Sequence, residues 1–296
     1  MRRNALTRKF ITAGLPLLVL AVLLTGRSHW LDAADPPESK TSEKMLLTSD
    51  VEWTPLNPAR GDQGPKAGTL WGDRAGAPQT GFLVKFADGF SSPPHIHNVT
   101  YRGVVISGLV HNDDPEAEAM WMPSGSYWTQ PAGEVHITAA KGAENIAYIE
   151  IQRGPYLVWP AEKASDNGER PINVHESNIV WLDTANSTWL TAKGPELAFL
   201  WGQPGTGESI GTLLKLPAGF SGEIRSDGSS LKAVVVEGAP QVKRTGESEA
   251  TTLTPGSYFS SEEGSSQLVS SDPEAESILY IRTEGRFEVA SAPAAN

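Results

Sequence analysis

Three of the chain's six histidines fall on two short segments, Gly89-Phe90-Ser91-Ser92-Pro93-Pro94-His95-Ile96-His97 and Pro131-Ala132-Gly133-Glu134-Val135-His136. Side chains alternate faces along a strand, so His95 and His97 share one face while Ile96 takes the other. Pro93 and Pro94 lack backbone donors and favour extended backbone, which stiffens the entry to that strand. Pro131 and Gly133 mark a tight turn, after which Val135, His136, Ile137 and Thr138 read as a strand delivering a third imidazole. Neutral imidazole is the commonest ligand for zinc, iron, copper and nickel, and three protein ligands with open positions make a reactive centre. The expected cofactor is one divalent transition metal (Fe, Mn, Zn, Ni or Cu) on His95, His97 and His136; ligand type alone does not choose among them.

Two neighbours are candidate catalytic residues. Glu134 shares the face of His136 if the strand starts that early, as an oxygen ligand or proton carrier; otherwise it is a solvated turn residue. Tyr101 either ligates as phenolate, hydrogen-bonds a metal-bound water or substrate, or is an aromatic of the wall. His111, between Gly108-Leu109-Val110 and Asn112-Asp113-Asp114-Pro115, reads as a surface residue in a loop or at a strand end. His175, in the segment joining two halves of the chain, has the weaker claim.

The elements that must aim these side chains are short β-like runs broken by Gly, Pro, Asn and Asp: residues 69–71, 81–86, 101–107, 119–122, 126–129, 135–139 and 146–151. That rhythm predicts an antiparallel sandwich or barrel rather than βαβ units. A second copy follows 130 residues on. Leu70-Trp71-Gly72 recurs as Leu200-Trp201-Gly202, and Gly81-Phe82-Leu83-Val84-Lys85-Phe86 as Gly211-Thr212-Leu213-Leu214-Lys215-Leu216. Gly89-Phe90-Ser91 recurs as Gly219-Phe220-Ser221, and, one residue further shifted, Gly125-Ser126-Tyr127 as Gly256-Ser257-Tyr258. In the copy, Arg225, Asp227 and Gln267 stand where His95, His97 and His136 stood, so the second half is not expected to bind a transition metal in the same way.

The histidine segments resemble the two cupin motifs, G-x5-H-x-H-x3,4-E-x6-G and G-x5-P-x-G-x2-H-x3-N. Gly89, His95, His97 and Gly108 match the first; Gly125, Pro131, Gly133 and His136 match the second. Tyr101 stands where the motif has Glu, and Ala140 where it has Asn, so the site is a three-His centre rather than the three-His, one-Glu set the motif implies. The likeness spans nearly the whole chain after the N-terminal segment and is greatest to two-domain, ChrR-like cupin proteins. It implies an all-β fold of two tandem jelly-roll barrels.

The organisation expected is a signal peptide at 1–33, a flexible spacer at 34–50, a metal-binding cupin at 51–160, a linker at 161–178, a degenerate cupin at 179–290 and a tail at 291–296. Arg2, Arg3, Arg8 and Lys9 precede an apolar run from Ile11 to Leu24, with small residues at Ala33 and Ala34. This predicts an exported protein, periplasmic or extracellular, by the general or the twin-arginine route; the alternative is an anchor left uncleaved. Cleavage after residue 33 removes five basic residues (Arg2, Arg3, Arg8, Lys9, Arg27) and one acid (Asp32), taking the formal charge from −11 to −15. Such acidity argues against nucleic acid and anionic membrane surfaces as partners. Zero cysteine excludes disulfides, zinc fingers and iron–sulfur clusters. The partner expected is a small molecule, and exposed strand edges would allow a homodimer.

Two functions fit. One is a metalloenzyme with dioxygenase-like or Lewis-acid chemistry on an anionic or chelating substrate, since three neutral ligands leave the ion's full charge in place. The other is a metal-dependent binding or sensor module without turnover. The sequence carries no nucleophile elbow, phosphate loop or glycosidase-like carboxylate pair.

Overall fold

The computed structural model describes residues 44–227 and 230–292. The predicted signal segment, and residues 293–296 of the predicted tail, lie outside them. The chain is all-β. Its first half holds β1 (Met45–Leu46), β2 (Thr54–Pro55), β3 (Lys66–Trp71), β4 (Thr80–Phe86), β5 (His95–His97), β6 (Tyr101–Asp113), β7 (Tyr127–Gln130), β8 (Ile137–Ile151), β9 (Val158–Pro160) and β10 (Ile172–Val174). The second holds β11 (Glu196–Trp201), β12 (Ile210–Leu216), β13 (Ser221–Asp227), β14 (Leu231–Glu237), β15 (Gln241–Arg244), β16 (Thr251–Thr252), β17 (Tyr258–Ser261), β18 (Ser266–Ser270), β19 (Ser277–Thr283) and β20 (Arg286–Ser291).

Two large antiparallel sheets, ordered β10-β7-β6-β8-β4-β3-β2 and β1-β17-β14-β19-β12-β11, pack back to back. Strand alternation divides each between two cores. In β4, Phe82, Val84 and Phe86 face the interior of the first half, whereas Leu83 faces the second half. In β12, Leu214 and Leu216 face their own interior and Leu213 meets the first half. These strands are buried on both faces, which is why they read as continuous apolar runs. Each fully buried Leu or Phe contributes about 1.5–3 kcal/mol of transfer free energy. The closed barrels expected are not formed: every sheet keeps two edges, and curvature comes from packing and bulges.

The run read at 146–151 and residues 137–139 of the run read at 135–139 fall on one long strand, β8, paired to β6 from Tyr101↔Ile151 to Asp113↔Ile137, while His136 precedes it in an isolated bridge. The exposed Lys141 and Glu144 reverse the apolar pattern mid-strand and hide its continuity. Register shifts around Ser107 bend the pair. Gly108 makes the bend: its φ is +75°, and a Cβ there would lie 2.1 Å from Asn145 Oδ1. Residues 119–122 form only a bridge, Val110↔Met122.

The segment leading into each half edges the other. β1 pairs with β17, through Met45↔Phe259 and Leu46↔Tyr258, so the described end of the expected spacer is a strand on the second half. β10, in the expected linker, pairs with β7 of the first half.

Candidate metal centre

His95 and His136 face each other across an antiparallel bridge closed by two backbone hydrogen bonds of 3.0 Å. β5 also pairs with β9, His97 opposite Val158. His95 and His97 turn to the cavity while Ile96 is buried on the other face. The Pro131–His136 turn depends on Gly133, whose φ is +78° and whose added Cβ would lie 2.3 Å from Ser165 Oγ and 2.4 Å from Ser165 O. Gly133 N donates to His97 O at 2.9 Å, tying the two motifs together.

One potential ligand atom from each imidazole lies within 4.8 Å of the others. Each Nδ1 meets a backbone carbonyl: Pro93 O for His95 (2.9 Å), Leu157 O for His97 (3.2 Å), Glu134 O for His136 (3.1 Å). A carbonyl only accepts, so each Nδ1 carries the proton and each Nε2 is the acceptor atom, that of His97 taking a hydrogen bond from the Tyr156 hydroxyl at 3.2 Å, which a metal there would replace. The rings stay neutral. Burial holds His97 well below the ordinary imidazole range, with the charges of His136 and His95 adding to it; burial and then His95 bring His136 to about 3; burial lowers His95.

Tyr101 lies beside this group, its hydroxyl 3.3 Å from His136 Nε2 and 2.9 Å from Asn112 Oδ1. The amide orientations follow from one carbonyl. Gln130 Nε2 donates to Glu134 O (3.3 Å), Gln130 Oε1 therefore accepts from Asn112 Nδ2 (2.9 Å), and Asn112 Oδ1 accepts from Thr138 (2.8 Å) and Tyr101. With its only proton on Asn112, Tyr101 turns an oxygen lone pair toward the lone pair of His136 Nε2. A cation relieves that opposition, and three neutral imidazoles are a donor set suited to a divalent transition metal. Burial raises the Tyr101 phenol well above its ordinary range, so it stays protonated.

Glu134 enters through its backbone. Its side chain lines neither the histidine group nor the adjoining cavity, and its charge adds to that of Asp166 in favouring protonated Arg170. His111 is not at the surface: it is 3% exposed within β6, its Nδ1 donating to Met120 O (3.3 Å), because β6 runs through the stretch whose Asn and Asp residues resemble a loop. His175 accepts from Ser177 N (3.2 Å) at the start of a short 3₁₀ turn.

Tyr156, missed in the sequence, stacks on His97 (4.4 Å between ring centres, 18°) with its hydroxyl 3.2 Å from His97 Nε2. It arrives with β9, and no local pattern announces it. Thr138 could have been found, sharing His136's face two residues on. A cavity of about 370 Å³ opens on His95 and His97, walled by Val84, Phe86, Phe90, Trp128, Ile149, Tyr156, Leu157 and Val158, with Arg60 also lining it. In the second half, Arg225 pairs with Glu223 at 3.1 Å, and among the described residues the only cluster of three or more potential ligands is His95, His97 and His136.

Residues 44–290 match the family described as DUF4437, a domain of unknown function. The chain belongs to that family. No curated protein matches this DUF4437 chain. Among solved structures it is similar to a protein of Nostoc punctiforme described as a candidate dioxygenase (12% identity, TM-score 0.62, covering 86% of this chain and 87% of that one). It is also similar to salicylate 1,2-dioxygenase of Pseudoaminobacter salicylatoxidans (15%, TM-score 0.55, 86% and 87%) and to protein YlbA of E. coli (14%, TM-score 0.57, 83% and 92%). At such identities the likeness is one of fold, and the fold is cupin-like, as the motif spacings imply.

Proposed function

We propose that this DUF4437 protein is an exported, metal-dependent enzyme with dioxygenase-like or Lewis-acid chemistry on a small anionic or chelating molecule. The observation that carries the proposal is the convergence of three imidazoles, one potential ligand atom of each within 4.8 Å of the others and each Nδ1 held by a backbone carbonyl, with His95 and His97 lining one cavity. His95, His97 and His136 would hold the metal, which when bound supplies Lewis acidity and, for a redox-active ion, a path for oxygen activation. The chain's own groups do the rest. Tyr101 keeps its proton at the hydroxyl beside His136, and Asn112, itself bonded by Thr138, holds that hydroxyl in place. The dioxygenases of similar fold support this reading and add an aromatic substrate class to those worth assaying.

Export with cleavage near Ala33 belongs to the same proposal, resting on the basic start and apolar run, and N-terminal sequencing of secreted material checks it. The activity is tested on purified protein by elemental analysis and oxygen uptake with diketone, phenolic and thiol substrates. About one metal per chain with turnover is expected, and His97→Ala should lose both. Full metal content in His97→Ala would overturn the site; stoichiometric metal without turnover across the panel would make the protein a binding module.

A further inference from the structure

Resting on that metal-site reading, we propose that Arg60 is the substrate-recognition residue of the centre and selects molecules that carry a carboxylate on an apolar, ring-sized body. Arg60 sits on the 3₁₀ segment Pro58–Gln63 and lines the same cavity as His95 and His97. Among the described residues no Asp or Glu lines that cavity, in a chain whose acids outnumber its Lys and Arg by 35 to 24. Among the described residues nothing pairs with the Arg60 side chain. Asp88, which shares an adjoining depression with Arg60, instead accepts from Gly142 N at 2.9 Å. Guanidinium is the side chain best matched to a planar, two-oxygen anion.

Trp128, 1% exposed, contributes to the aromatic wall of the cavity beside Tyr101. The cavity thus offers a guanidinium set among aromatic and aliphatic walls. That complement fits an aromatic or similarly flat acid and disfavours a cation.

The test compares benzoate with its neutral isostere benzamide, by calorimetry, on the metal-loaded protein and on protein stripped by chelation. The wild type should prefer benzoate in both states. Arg60→Ala should weaken benzoate by roughly tenfold or more, the scale of a charge-assisted hydrogen bond, and leave benzamide within about twofold. Arg60→Lys should recover part of the preference. Arg60 is exposed, so its replacement leaves the fold intact, with unchanged metal content as the check. A benzoate preference that vanishes on chelation but is untouched by Arg60→Ala would assign anion selection to the metal and overturn the role of Arg60 while leaving the metal site standing. Equal affinities for the two compounds in the wild type would overturn the substrate class. Absence of metal from the purified wild type would instead count against the metal centre itself.

Discussion

At the scale of single residues, the centre is governed by where a few protons sit. Three backbone carbonyls fix three imidazole tautomers, and a fourth link, Glu134 O to Gln130, fixes the amide chain that takes the Tyr101 proton. Tyr101→Phe keeps the ring and removes only the hydroxyl. Metal content should be unchanged and stability should fall by about 1 kcal/mol, since Asn112 Oδ1 retains Thr138. Turnover should drop on the order of a hundredfold if the hydroxyl moves a proton; steady-state rates beside elemental analysis separate these effects, and an unchanged rate would leave Tyr101 as a wall residue. The buried imidazoles also set an acid limit. His136 is held at about 3 against an unfolded value of 6.5, so the unfolded chain takes up the proton first. Its contribution to stability is present above pH 6.5 and shrinks as pH falls toward 3, by about 1.4 kcal/mol per unit, and bound metal competes with the same protons. Denaturant midpoints of metal-free protein should decline from pH 7 to pH 4, and His136→Asn should flatten that decline.

At the scale of elements, the site is two strand ends and a turn brought together by backbone pairing. Gly133→Ala tests that statement. Its methyl group would enter Ser165 at 2.3–2.4 Å at a positive φ, so the turn must shift and carry His136 with it. Metal affinity should fall at least tenfold with a loss of about 1–3 kcal/mol in stability, whereas Gly89→Ala, at positive φ but with open space around it, should cost less and leave the metal bound. What the sequence made legible here was local: alternation along His95-Ile96-His97, the Pro-x-Gly turn, and the glycines of the duplicated strands. Two things were not. The orienting carbonyl of Leu157 and the stacked Tyr156 reach His97 through the β5–β9 pairing, some sixty residues away, and cooperative pairing over such a distance leaves no periodic trace. The interior of β6 and β8 was misread near His111 and Lys141 because polar residues on bent strands resemble loop composition.

At the scale of the molecule, the duplication has produced one body with a third core between the copies. Arm exchange at β1 and β10 stitches each half to the other, and a polar network crosses the seam. Glu150 and Arg282 occupy corresponding places in the two copies, on β8 and β19, so the repeat has diverged here into opposite charges. Both are 1% exposed; their Nε–Oε1 contact of 3.1 Å is an ion pair without hydrogen-bond alignment. Tyr148 and Tyr280 donate to the other Glu150 oxygen at 3.0 and 3.1 Å, and Trp71 and Trp201 donate in turn to those hydroxyls. The copies are identical enough to stack and different enough to need a register, which one buried ion pair can supply. Removing one member strands the other in a desolvated place, so Glu150→Leu alone should cost about 3–5 kcal/mol. Arg282→Met alone should cost a similar amount, while the double variant should recover part of the loss, because no unpaired charge is left although Tyr148 and Tyr280 lose their shared acceptor. Calorimetric melting should show one transition in all these proteins if the central core couples the halves. Two separate transitions in the wild type, or single losses that simply add in the double variant, would show that the halves stand independently and that this pair does not join them.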